Sequence, residues 1–246
     1  VLEAPRLVDH AIWGVALLLY AWDAARVLGP CQVLLVEGGR GRLAPALGDS
    51  PFASGGRTLA LGPLHRPHRG AFVAGWGRPW RDEAALAATL ASMQRLREAL
   101  APLRALAVVG AILLFVAGPA LTLALGPDAA VVYTAAGLYP TVLAALATVW
   151  WRRHRLGLTR ARAARVSLEV LVCPAFLPSL VRTLTGHHPV EADAAQVLLA
   201  TADAGTAGDL VTRLRRRTED LLDAGDADPA RQAELRAYLA GLPHGR

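Results

Sequence analysis

Histidine, cysteine and carboxylate groups at ligand or catalytic spacing are the natural starting point in this 246-residue chain. His65 and His68, in the run HRPH, have a spacing that can hold zinc, but no second ligand pair stands near them. Arg66 and Arg69 would also repel a cation, so a polar turn is expected there. His187 and His188 are adjacent and precede Pro189, and neighbouring side chains rarely aim at one metal. No metal and no cofactor is expected. Gly38-Gly39-Arg40-Gly41 lacks the Gly-Lys-Ser/Thr ending of a phosphate loop, since the chain has no lysine, and it reads as a hairpin turn. Cys173 is a nucleophile by type, but a cysteine among apolar residues is chemically inert. His154 and His187 are far from it in sequence, and no Gly-x-Ser-x-Gly occurs. Glu219-Asp220 lies in a charged helical stretch and reads as a solvated face.

Four polar residues gain interest from their apolar settings: Asp23, Arg26, Glu169 and Cys173. An ionisable group at membrane depth is costly and is often functional. Asp23 and Arg26 are three apart, and on a helix they would share a face and offset each other's burial. The densest charge feature is Arg152, Arg153, Arg155, Arg160, Arg162 and Arg165. Beside an apolar span, each arginine attracts anionic headgroups by about 1 kcal/mol. Arg152, Arg153, Arg155 and Arg160 are the expected lipid-headgroup contacts. Nucleic-acid binding is not expected, because no aromatic residue is interleaved between Arg152 and Arg165.

The elements that carry these residues follow from the apolar runs. Residues 105–126 hold 22 positions without a charge, and residues 129–151 hold 23 more. At about 1.5 Å per residue each run covers the roughly 30 Å hydrocarbon core of a bilayer. Only Pro127-Asp128 separates them, so a transmembrane helical hairpin over 105–151 is expected, kinked at Pro119 and Pro140. Trp150 and Trp151 suit the headgroup layer. Residues 7–28 form a weaker N-terminal span, with no basic segment before it and no small-residue cleavage site, so it does not read as a signal peptide. Residues 166–181 are short for a span and contain Pro174 and Pro178, which favours an interfacial or re-entrant segment broken near Cys173.

Arginine counts set the orientation. Residues 29–104 hold ten arginines and 152–165 hold six, against one in 1–10 and none in 126–128. Basic loops stay in the cytoplasm, which puts the N-terminus outside and the C-terminus in the cytoplasm.

The remaining segments read as water-facing. Residues 29–81 are expected to be a small β-rich cytoplasmic insertion. Within it, residues 32–37 form a strand, Gly38-Gly39 a two-residue turn and 40–47 its return, while 57–61 and 71–76 form a second pair. Asp82 caps an amphipathic helix over 82–103, striped by Leu86, Leu90, Met93, Leu96, Leu100 and Leu103. Residues 182–246 are expected to be a cytoplasmic helical tail. One of its helices runs from Pro189 towards Ala202, and the last is capped by Asp228-Pro229.

Composition agrees with a membrane class: 54% hydrophobic, 19% charged and a mean hydropathy of +0.35. All 26 basic residues are arginine and asparagine is absent, as a GC-rich bacterial genome would produce. Two cysteines are too few for a disulfide framework, and free thiols are expected. The fold class expected is a predominantly α-helical integral protein of the bacterial inner membrane. Its expected role is a non-catalytic anchor or adaptor whose partners are the lipid bilayer and other proteins or copies of itself. The rival expectation is a membrane-embedded enzyme, or a lipid- or ion-handling protein, using Asp23 and Glu169.

Overall fold

The computed structural model describes residues 4–29, 31–39, 42–46, 58–62, 64, 66–201, 204–223 and 228–242. The chain is mainly helical with little sheet, and it divides into two units. A helical unit comprises Val1–Ala25, Pro63–Gly70 and Arg95–Thr185; a mixed unit comprises Arg26–Gly62, Ala71–Gln94 and Gly186–Arg246.

In the helical unit, α1 (Ala4–Ala24) is followed along the chain by the later part of α2 (Glu83–Ile112). A π turn (Leu113–Ala117), α3 (Gly118–Leu125) and α4 (Pro127–Arg152) come next. The unit closes with α5 (Arg160–Val172), a 3₁₀ turn (Pro174–Ser179) and α6 (Leu180–Gly186). Two continuous helical stretches, Glu83–Leu125 and Pro127–Arg152, are long and apolar enough to cross a membrane. Gly126 alone separates them, at a φ of 86° that favours glycine. Pro127 and Asp128 therefore form the first turn of α4 rather than the break itself. Pro119 has no N–H for the Phe115 carbonyl, and the ladder widens to the π register just before it. Pro102 leaves α2 unbroken, so the amphipathic helix and the first hairpin arm are one element.

The second arm buries Ala130, Thr134, Leu138, Val142, Ala145 and Val149, a stripe at three- and four-residue steps. Its remaining faces stay open, with Val132, Tyr133, Leu143 and Trp151 exposed. α1 runs antiparallel to the first arm: Trp13 lies against Gly118 and Thr122, and Tyr20 against Phe115.

One expectation needs correction here. The N-terminal helix stops at Ala24, and β1 (Ala25–Leu28) replaces the helix expected through Leu28. Arg26 thus belongs to a strand and shares no helix face with Asp23. The 166–181 segment breaks at Cys173, as its prolines imply, and its two halves differ in burial. Leu177, Ser179, Leu180 and Val181 are fully buried, whereas Leu168, Leu171 and Val172 at the end of α5 are exposed.

In the mixed unit, β2 (Gln32–Glu37) is the centre of a three-stranded antiparallel sheet, order β3-β2-β5, with β3 spanning Leu43–Pro45 and β5 Ala71–Gly75. Leu35 faces Pro45 on one side and Phe72 on the other. The first hairpin forms, but Glu37 pairs with Leu43, so the strands part earlier than the two-residue turn expected. The second expected hairpin does not form: β4 (Thr58–Leu61) pairs with β1, and β5 pairs with β2. The apolar run Val33-Leu34-Leu35 is buried throughout, which makes β2 the natural centre strand. The first turns of α2, α7 (Ala194–Thr201), α8 (Ala204–Asp223) and α9 (Pro229–Gly241) complete the unit. α7 starts later than the expected Pro189 because Asp193, not the proline, caps it. Asp82 and Asp228 cap their helices as expected, at 2.8 and 2.7 Å.

Candidate functional site

Asp23, in the last turn of α1, accepts a hydrogen bond from the Thr183 hydroxyl at 3.4 Å. The Arg182 guanidinium lies 4.6 Å from the centroid of the Tyr20 ring and is 2% exposed. The Tyr20 hydroxyl donates to the Leu64 carbonyl at 2.7 Å, and its ring meets Phe115 at 5.1 Å. Tyr20, Asp23, Arg182 and Thr183 thus form one cluster holding α1 to α6. The guanidinium over the Tyr20 face is a cation–π packing contact.

Glu169 takes no part in that cluster. It pairs with Arg165 at 2.9 Å, one helical turn away, with both side chains open to solvent. Such pairs contribute little to stability. The two carboxylates of the rival reading therefore occupy separate interactions. Cys173 is half-buried, with its N–H bonded to the Glu169 carbonyl, and both cysteines are free thiols. Arg26 has one buried guanidinium nitrogen, Nη2, beside Gly186 that makes no hydrogen bond among the described residues. Arg153 turns towards the His154 ring at 3.2 Å, while Arg155 and Arg160 are exposed. His68 lies in the polar turn expected of it, where the Arg69 N–H bonds the Arg66 carbonyl, and His65 lies outside the described residues. Among the described residues no cluster of three or more metal-binding side chains occurs.

One further pairing joins residues far apart in sequence. In the mixed unit the Ser92 Oγ lies 3.3 Å from the His188 Nε2, on a groove of about 460 Å³ also lined by Ala85, Ala88, Thr89, Pro189 and Glu191. Ala85, Ala88, Thr89 and Ser92 share a face of α2 because three- and four-residue steps do so. Burial holds His188 below the usual histidine range, so the ring is neutral at pH 7. A neutral imidazole next to serine suggests nucleophilic chemistry. The Ser92 hydroxyl, however, is closer to the Thr89 carbonyl, at 2.8 Å, and donates there. The His188 Nε2 then serves as a donor to Ser92 rather than as its base. The ring's edge meets Phe72, and no third residue among those described orients its other nitrogen. The pair ties the 186–191 segment to α2. Ninety-six positions separate Ser92 from His188, and no local signal in the sequence joins them.

A second buried network fixes the same unit. Asp193, 1% exposed, accepts from the backbone N–H groups of Arg78 and Ala195 at 3.1 and 2.8 Å and from the Tyr238 hydroxyl at 3.3 Å. Gln196 accepts from the Arg81 N–H and donates to the Arg81 carbonyl. Burial pushes the Asp193 carboxyl up, against the pull of its donors, and also raises the Tyr238 phenol. Arg231 bridges the Gly77 carbonyl, Glu234 and the Cys31 sulfur, the last at 3.1 Å. Burial works to lower that guanidinium, but Glu234 and Cys31 outweigh it and leave it above the ordinary arginine value. These groups are mutually satisfied and serve to hold the fold.

No protein-family model matches the chain, and neither a curated protein nor a solved structure shows significant similarity to it.

Proposed function

We propose that the chain is an integral membrane protein whose helical hairpin spans the bilayer, and that it acts as a non-catalytic anchor or adaptor for partner proteins. The observation that carries this reading is how little of the hairpin is covered by protein. Only 28% of the apolar window in Glu83–Leu125 and 33% of that in Pro127–Arg152 is buried. Core helices of soluble proteins are mostly buried, and soluble monomers rarely expose apolar patches of more than a few hundred Å². A bilayer satisfies the open faces, and helices satisfy their own backbone groups.

The distribution of charge supports an orientation. Arg95, Arg97, Arg152, Arg153 and Arg155 gather at the base of the hairpin, where Arg152 reaches the Glu98 and Ala99 carbonyls. The tip carries Asp128 and no arginine. By the positive-inside rule the base is cytoplasmic and the tip outside, as in a bacterial inner membrane. The antiparallel course of α1 puts its start towards the tip, which supports an outside N-terminus. The apolar part of α1, Ala11–Ala24, is shorter than the two hairpin stretches, and we assign it as the weaker third span.

For partners, α8 offers a charged face, with Arg213, Arg216, Glu219 and Asp220 outward and Leu210, Val211, Leu214 and Thr218 buried. The β1–β4 ladder adds exposed Val27 and Leu59. The rival enzymatic reading draws less support, because Asp23 and Glu169 are engaged apart.

Fractionation tests the reading. The protein should sediment with membranes, resist extraction by alkaline carbonate and enter solution only with detergent. Recovery as a monodisperse species from a detergent-free supernatant would end the proposal.

A further inference from the structure

Pro102 has no N–H to offer the Glu98 carbonyl, four residues back along α2. Arg152, at the end of α4, supplies the missing donor: its Nη1 reaches the Glu98 and Ala99 carbonyls at 3.5 and 3.3 Å. That engagement uses one of the three guanidinium nitrogens. Nε and Nη2 make no hydrogen bond within the protein among the described residues, and neither is sealed from solvent. Beside them lies a cleft of about 440 Å³ lined by Pro102, Ala147, Thr148, Trp151 and Arg152. The Thr148 hydroxyl is spent on the Ala144 carbonyl, so its methyl joins Pro102 and Ala147 in an apolar wall. Trp151 is 89% exposed.

From this geometry we infer that the cleft binds one anionic phospholipid, with its phosphodiester on Arg152. The inference rests on the membrane reading above and adds a defined lipid site to it. A guanidinium presents parallel N–H groups that match two phosphate oxygens, and backbone anchoring of Nη1 fixes the orientation of that fork before a ligand arrives. The apolar wall leads from the arginine onto the uncharged face of α4, the direction an acyl chain needs. Trp151 supplies the ring that prefers the headgroup layer. Arg153 and Arg155 add positive charge next to the cleft, which favours an anionic over a zwitterionic headgroup.

The probe is the full chain in detergent, mixed with phosphatidylglycerol, phosphatidylcholine or inorganic phosphate and read by native mass spectrometry. The expected result is one retained phosphatidylglycerol per chain, little phosphatidylcholine, and no displacement by millimolar inorganic phosphate. R152Q should lower retention on the order of tenfold, the scale of a charge-assisted hydrogen bond. A147W, which fills the cleft and leaves Arg152 on its carbonyls, should do the same with an unchanged melting temperature. R155Q removes a neighbouring charge and leaves Arg152 and the cleft in place, so it should lower retention far less than R152Q. Equal loss in R155Q and R152Q would mean diffuse attraction and overturn the site, as would displacement by free phosphate or retention in A147W. If retention fails while the protein still fractionates with membranes, the site alone is wrong; failure to fractionate removes the membrane reading itself.

Discussion

The indole of Trp13 fills the space where a β-carbon on Gly118 would have to go. A Cβ built on that glycine would lie 2.5 Å from two ring carbons. The same indole donates to the Thr122 hydroxyl at 2.8 Å, which in turn bonds the Gly118 carbonyl at 3.0 Å. Close approach and a satisfied polar chain thus fasten α1 to the first hairpin arm.

Gly118→Ala should therefore destabilise the protein by about 1–3 kcal/mol, the usual cost of overpacking. Gly14→Ala, on α1 with nothing within 4 Å of its Cβ, should be neutral or slightly stabilising. Thermal melts in detergent check both. Equal melting temperatures for the two variants would show that α1 does not pack on the hairpin in this way.

Asp193 joins the start of α7 to α9 through Tyr238 and to the 76–81 segment through the Arg78 N–H. Asp193→Ala strands three donors and removes a helix cap, so a loss of about 2–4 kcal/mol is expected. Tyr238→Phe removes one donor and leaves the carboxyl its two N–H groups, and should cost about 1 kcal/mol. Chemical denaturation of the two variants should preserve that order; a larger loss in Tyr238→Phe would contradict it.

His188 should give stability a pH dependence of definite sign. Its folded-state pKa is depressed by burial, so the unfolded chain takes up the proton first. Stability is then full above the ordinary histidine value of about 6.5 and declines as pH falls towards the depressed one. Glutamine at this position keeps a polar contact to Ser92 without titrating. H188Q should lose less stability than the parent between pH 7 and pH 5. Melting temperatures that fall in parallel would show that His188 does not titrate as described.

Much of the helical architecture was readable because it depends on long-range uniformity of sequence. Twenty-two and then 23 uncharged positions announce the hairpin, Pro119 announces the local disturbance that becomes the π turn, and Asp82 and Asp228 announce their helices. Strand partners were less legible. Residues 57–61 and 71–76 look like a hairpin by proximity, yet β5 goes to β2 because Val33-Leu34-Leu35 needs cover on both edges. The partner of Asp23 is hidden for a related reason. Spacing pairs Asp23 with Arg26, but the helix ends between them and Asp23 bonds Thr183, 160 residues on. Arg182 and the Ser92–His188 contact gave no sign at all, since tertiary packing alone creates them.

Sidedness of Asp128 and Arg153 is the most direct test of the membrane account. Single cysteines at these positions, in a chain whose Cys31 and Cys173 are replaced by serine, would be probed in intact cells with a membrane-impermeant maleimide. The account predicts labelling at position 128 from outside, and at position 153 only after the membrane is opened. Labelling of both from the same side would contradict a hairpin that crosses the bilayer.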